Sequence, residues 1–477
     1  MKIHFNRSII LGIPFLLLMV CRLDAKLPGG NEQTVLTETG KTIVETVSPE
    51  FVLMGYAALP GEGLLTTTGG SGGRVDTIST LERLLQMAEE RENNNEAAIW
   101  YIKGKIESPE TQTATIKHGA NLTVIGYGAN AELKNIGLRF WDYHNVIVRN
   151  LKIHEVLYPN DAITIDECHH VWIDHNELFS LIGEGIGVDT YDGLLDIKNG
   201  SRYVTVSWNY LHHHMKCSLV GHTDKTSQES LDIQFRITFH HNLFSYTDGR
   251  NPSLRYGAIH MFNNYFENIS DYGIAVRLGA HALLENNHFE SVQIPITTNK
   301  FSGSEGWICE SGNIYSGTCS ATDNSITQTD CEFWDEAELK YAYVLDAAEK
   351  VAVEVKQYCG VGILDTNQMN QIDTLPEIDT YLPSISMPLS GDKFLVVGPI
   401  PNPSVGNFRL QIYTRTSSGI LISLCDLSGR IIQSKFGLSD FEGNLDIEFE
   451  TSELTSGMYL LIIENQSVRM VKRLVIH

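Results

Sequence analysis

Six times between residues 150 and 289 an asparagine opens a short apolar stretch: Asn150, Asn176, Asn209, Asn242, Asn264 and Asn287. The intervals are 26, 33, 33, 22 and 23 residues. A base period near 22, lengthened by insertions in some turns, is the signature of a solenoid. Between the asparagines lie short β-branched runs that read as strands: Ile99–Ile102, Leu122–Ile125, Val146–Val148, Val171–Ile173, Val204–Val206 and Ile237–Phe239. Short strands with one asparagine per repeat predict a right-handed parallel β-helix. The asparagine takes the left-handed backbone conformation that the turn needs, and its amide bonds the next asparagine in the stack. The aromatic residues that follow (Phe179, Tyr210, Phe244, Phe266, Phe289) are expected to stack within the core.

The insertions between residues 150 and 242 map to loops on one face, where a solenoid carries its site. A capping-box start at Ser79-Thr80-Leu81-Glu82 predicts a helix over 79–92. The Thr67–Gly73 stretch lacks the lysine and the strand–helix context of a phosphate loop and reads as a tight turn. Residues 346–358 read as a helix or turn that caps the solenoid, and from Phe394 a new alternation with turns predicts a small β-sandwich. The fold class is thus all-β. The expected boundaries are a signal peptide over 1–25, a leader over 26–48, the β-helix over 49–366, a linker over 367–390 and the sandwich over 391–477.

The signal peptide rests on Lys2 and Arg7 before the apolar run Ile9–Val20, with cleavage at Ala25 and lipidation at Cys21 as the alternative. No later segment has the run of ~18–20 apolar residues that spanning a membrane requires. Export permits disulfides, and Cys309, Cys319, Cys331 and Cys359 cluster closely enough for one or two bridges. Cys168 and Cys217 are expected to pack as small buried hydrophobes. A net charge of -23 argues against nucleic acid as partner. A local basic cleft or a bridging metal still lets such a chain bind a polyanion.

That combination occurs in the central third. Asp192 and Asp196 are four apart, so they share one face of a strand, and Asp161 lies one coil earlier. Three carboxylates supply hard oxygens of the kind Ca²⁺ takes, although a solvated acidic face has the same spacing. Lys216 follows, then Arg250-Asn251-Pro252-Ser253-Leu254-Arg255, with two guanidinium groups five positions apart. His212-His213-His214 cannot all meet one ion, because consecutive strand residues point to opposite faces.

Val171-Trp172-Ile173-Asp174-His175, Asp192–Lys198, the Arg250–Arg255 stretch and Tyr256–Asn264 occur together and in this order. In these motifs residues 50–365 resemble the family 1 pectate lyases. The resemblance implies a parallel β-helix that cleaves polygalacturonate, or pectin, by Ca²⁺-dependent β-elimination. It implies Asp161, Asp192 and Asp196 as calcium ligands, with Pro159 where some members have a further aspartate. It implies Lys216, Arg255 and Arg277 as substrate-binding residues and Arg250 as the catalytic base. Arginine has a reference pKa of ~12.5 or more, so such a base implies activity that is best at alkaline pH. Asp174 and His175 are left a structural role.

Residues 391–477 resemble the C-terminal sorting domain of type IX secretion cargo, through Pro401-Asn402-Pro403, Asp426–Arg430, Leu454–Tyr459 and Val471–Val475. That resemblance implies type IX secretion machinery as a partner. It implies a secreted or outer-membrane surface location in a Gram-negative bacterium. A monomer is expected. Two alternatives stand beside the lyase reading: a lyase for methyl-esterified pectin, and a non-catalytic β-helix that binds polysaccharide.

Overall fold

The computed structural model describes two strands near the N-terminus (Glu32–Leu36 and Thr42–Thr46), residues 51–364 apart from 301–303, 335–337 and 342, and most of the strands and flanking residues between 394 and 476. The expected signal peptide and linker lie outside the described residues. The two N-terminal strands pair antiparallel, within the stretch read as a leader.

From Arg74 to Ser316 the strands form one continuous 23-stranded parallel sheet wound into a helix. From Lys152 onward each coil contributes three strands, whereas Lys105–Gly126 and Glu132–Arg149 each run on as one long strand. One coil runs Leu195–Lys198, Arg202–Ser207 and Tyr210–Lys216; the next runs Ser218–Val220, Arg236–His240 and Leu243–Gly249. Each strand pairs with its counterpart one coil away, as Asp196 does with Leu219 and Leu219 with Ser253. A strand inside such a stack has every ladder group bonded on both sides.

The asparagines form the expected ladder. Asn176 N–H donates to Asn209 Oδ1 at 2.9 Å, Asn209 to Asn242 at 3.0 Å, Asn242 to Asn264 at 3.0 Å and Asn264 to Asn287 at 3.1 Å. Each side-chain amide also donates to the next Oδ1. The backbone expectation needs correction. From the second repeat onward the left-handed residue is the one before the asparagine: His175, Trp208, His241, Asn263 and Asn286, with φ between 48° and 55°. Only Asn150 of the six takes that conformation itself. An asparagine bonded to the coil above must begin an extended strand, so the bend falls one position earlier.

The interior is packed by stacked rows. Phe244, Phe266 and Phe289 lie with ring centroids 5.0 and 4.6 Å apart, all fully buried. Phe179 departs from the core expectation: it is half-buried and stacks between His154 and His212. Tyr210, also half-buried, packs on His212. The predicted first helix spans Leu81–Glu90, with Thr80 accepting from Arg83 N–H as its N-cap. The Thr67–Gly73 stretch is a turn packed on the solenoid: a β-carbon at Gly70 would lie 1.8 Å from the Ala98 carbonyl oxygen. A helix over Ala348–Tyr358 seats Val351 and Val355 against Leu243 and Tyr265. Cys309 and Cys331 form a disulfide, whereas Cys319 and Cys359 stay free; Cys168 and Cys217 are buried as expected.

At the C-terminus the strands Phe394–Ile400, Phe408–Thr414 and Asn444–Phe449 form one antiparallel sheet. Gly419–Cys425, Ile431–Leu438, Gly457–Glu464 and Arg469–Ile476 form a second. Buried residues of both, among them Leu410, Phe449, Ile422 and Leu461, share one core, the sandwich expected there.

Candidate active site

One face of the solenoid carries Ile163–Asp166, Leu195–Lys198, Ser218–Val220, Ser253–Arg255 and Ile274–Arg277 on successive coils. Asp161 precedes the first of these strands and meets Asp196 across Gly193. Gly193 N–H donates to Asp161 Oδ1 at 2.9 Å. A β-carbon on Gly193 would lie 2.4 Å from Asp196 Oδ1 and 3.0 Å from Asp161 Oδ1. The two carboxylates therefore converge because this position has no side chain.

A cation already lies between them. Lys198 Nζ donates to Asp161 Oδ2 at 2.8 Å and stands 3.3 Å from Asp196 Oδ2. Burial and the Asp161 charge push Asp196 up to about 7, with Lys198 and Arg250 offsetting part of the rise. Burial disfavours the Lys198 charge, but Asp196 and Asp161 outweigh it and hold the ammonium above its ordinary range. Hard, convergent oxygens around an ammonium group suit a divalent cation of the calcium type. The third aspartate is turned aside: Asp192 Oδ1 accepts from Lys216 at 3.1 Å. Among the described residues no cluster of three His, Cys, Asp or Glu side chains is arranged to hold a metal ion.

His214 fixes the Asp192 backbone. Burial pushes this imidazole down to about 4, so it is neutral at ordinary pH. Its Nε2 lies 2.5 Å from the Asp192 carbonyl oxygen. A carbonyl only accepts, so Nε2 carries the hydrogen and Nδ1 faces the Ser180 hydroxyl at 2.7 Å. Lys216 also meets Asp189 at 3.2 Å and lies 5.9 Å from the centre of the exposed Tyr158 ring.

Arg255 and Arg277 are paired across adjacent coils, which brings two like charges one rung apart. Asp224 lies between them, hydrogen-bonded to Arg255 and 3.6 Å from Arg277. Arg255 also donates to the Gly221 carbonyl at 2.7 Å. Arg250 is different. Its backbone is left-handed, with φ 60°, and its carbonyl accepts from Ser218 N–H at 2.6 Å. No hydrogen bond or ion pair engages its guanidinium among the described residues.

The pectate lyase family model matches residues 52–364. The chain belongs to the pectate lyase family. A pectate trisaccharide-lyase of Bacillus licheniformis is 38% identical over 317 residues, covering 66% of this chain and 87% of that protein. Pectate lyase A of Emericella nidulans is 35% identical over 306 residues, covering 63% and 88%. Among solved structures, a Bacillus pectate lyase in complex with trigalacturonate is 35% identical, with a TM-score of 0.58, over 66% of this chain and all of that one. Pectate lyase II of Xanthomonas campestris is 27% identical, with a TM-score of 0.56, over 65% and 99%. A secretion system C-terminal sorting domain matches residues 400–477. The chain is thus a polysaccharide lyase joined to an export domain.

In this pectate lyase Asp196, Arg255 and Arg277 lie on the strands of this face, Asp161, Asp192 and Arg250 on the turns beside them, and Lys216 at the end of the strand Tyr210–Lys216 that leads into it. Asp174 and His175 belong to another face. Both side chains are 0% exposed, with Asp174 2.6 Å from Arg149 Nε and 2.8 Å from His175 Nδ1. Sequence reasoning missed Lys198, although its even spacing from Asp196 puts both on one face. It also missed Asp189 and Asp224, which reach the site from loops and carry no periodic signal.

Proposed function

We propose that this pectate lyase is calcium-dependent and cleaves α-1,4-polygalacturonate by β-elimination, releasing 4,5-unsaturated oligogalacturonides. The observation that carries the reading is the division of labour among the cations. Lys198, Lys216, Arg255 and Arg277 are each held by a carboxylate, while the Arg250 guanidinium makes no hydrogen bond or ion pair among the described residues.

The proton removed is on C5, alpha to the uronate carboxylate. Arg250, in its neutral form, takes it. The C5–H electron pair becomes the C4–C5 double bond, the C4–O bond breaks, and the glycosidic oxygen leaves and acquires a proton. Negative charge grows on the uronate as the proton departs, so cations fixed beside it stabilise the transition state more than the ground state. Lys216, Arg255 and Arg277 supply such charge and hold neighbouring uronates, displacing Asp192 and Asp224. Asp161, Asp192 and Asp196 would hold Ca²⁺, which when bound adds Lewis-acid stabilisation to the same carboxylate. The sorting domain supports export through type IX machinery to the medium or cell surface of a Gram-negative bacterium, where the enzyme would meet polymeric pectin.

Incubation with polygalacturonate tests the reading. It predicts ultraviolet absorbance from an unsaturated end, lost in an Arg250→Ala variant that still folds. New reducing ends without that absorbance would mean hydrolysis, and a preference for fully methyl-esterified polymer would mean a pectin lyase.

A further inference from the structure

A cleft of about 450 Å³ has Asp161 in its wall and extends from there to Arg139. The reaction as assigned uses only its Asp161 edge. Its walls include Thr113, Thr115, Arg139, Asn160, Lys198 and His222. Arg139 stands level with Thr164, Thr164 with Asp196, Asp196 with Leu219 and Leu219 with Ser253. Four rungs at about 4.8 Å each place Arg139 roughly 19 Å from the coil of the Arg250–Arg255 stretch. A sugar reacting at Arg250 does not reach it, but a longer chain lying along the solenoid axis does.

Arg139 is held in position. Its Nη2 donates to Asp166 at 2.6 Å, and its guanidinium carbon lies 5.2 Å from the centre of the Trp141 ring. Asp166 is itself buried and accepts a second bond from Asn199 at 2.6 Å. Yet Arg139 Nε and, across the same cleft, Thr113 Oγ1 are buried polar atoms with no partner among the described residues. Both are closed off from the cleft and go unpaired, so what Arg139 presents to the cleft is the exposed part of its guanidinium group. The arginine side chain keeps 38% of its surface open to solvent.

We infer that this cleft is a binding subsite for an acidic sugar unit several positions from the bond that breaks. Arg139 donates to its carboxylate, and Thr115 and Asn160 meet its hydroxyls. The subsite rests on the polygalacturonate reading above and adds to it a preference for long chains, set by a residue outside the reacting coils.

The test compares wild type, Arg139→Gln and Arg139→Lys on galacturonate trimers and hexamers. For Arg139→Gln, kcat/KM on the hexamer falls about tenfold, the scale of one charge-assisted contact. The trimer rate stays unchanged, and Arg139→Lys recovers part of the hexamer loss. An equal loss on both lengths would make Arg139 a support of the fold, and no loss on either would leave the cleft without a sugar; each overturns the inference. If wild type released no unsaturated product, the lyase reading would fail by itself. Hexamer binding by titration calorimetry would then carry the test: about tenfold weaker for Arg139→Gln supports the subsite, and equal affinity overturns it.

Discussion

Lys198 is hydrogen-bonded to Asp161 at 2.8 Å, and the same ammonium group lies 3.3 Å from Asp196. It offsets part of the repulsion between two carboxylates that face each other across Gly193. Lys198→Met leaves that repulsion uncompensated. The calcium-free variant is expected to lose about 1–3 kcal/mol of stability, and calcium recovers most of the loss. Thermal unfolding with calcium and with chelator measures both, and a calcium-induced shift no larger than in wild type would contradict the assignment of Asp161 and Asp196 as ligands.

Gly193→Ala tests the convergence sterically. The new β-carbon would stand 2.4 Å from Asp196 Oδ1, so the carboxylates must separate. Activity is expected to fall by about 10²-fold, as for displacement of an active-site group by an ångström, while circular dichroism stays that of wild type. Full activity at ordinary calcium would show that the approach of the two aspartates is incidental.

The buried Asp174 predicts acid sensitivity. Burial alone would raise its pKa, but the charges of His175 and Arg149 outweigh burial and hold it below the ordinary carboxylate range. A depressed folded-state pKa gives stability that is fully present above the unfolded value of ~3.9 and lost as pH falls toward the folded one. Denaturant midpoints are expected to drop below pH ~4. Asp174→Asn flattens that dependence and costs about 3–5 kcal/mol by stranding Arg149. An unchanged acid slope in the variant would assign the sensitivity to other carboxylates.

The solenoid and much of its site were legible because both depend on period. Each ladder asparagine repeats its environment, so spacing alone exposes the coil; the even spacing that was applied to Asp192 and Asp196 holds equally for Asp196 and Lys198, where it was not applied. The left-handed turn was misplaced by one residue, since the sequence does not show whether an asparagine serves its own backbone or the coil above. Phe179 was misread because an aromatic residue on this pattern packs equally well on a histidine stack outside the core. The clamps on Lys216 and Arg255 were illegible because Asp189 and Asp224 arrive from loops of no fixed period. Arg139 was overlooked because its link to Asp196 is a register across two coils, which no local motif records.

The most direct measurement is the ultraviolet progress curve on polygalacturonate, recorded for wild type and for Arg250→Lys, each in calcium and in chelator. Wild type is expected to form unsaturated product in calcium and to stop in chelator, with the rate rising toward alkaline pH. Arg250→Lys is expected to lose about 10²-fold or more even at saturating calcium. Product forming equally in chelator, or a lysine variant at full rate, would contradict calcium-assisted elimination with Arg250 as the base.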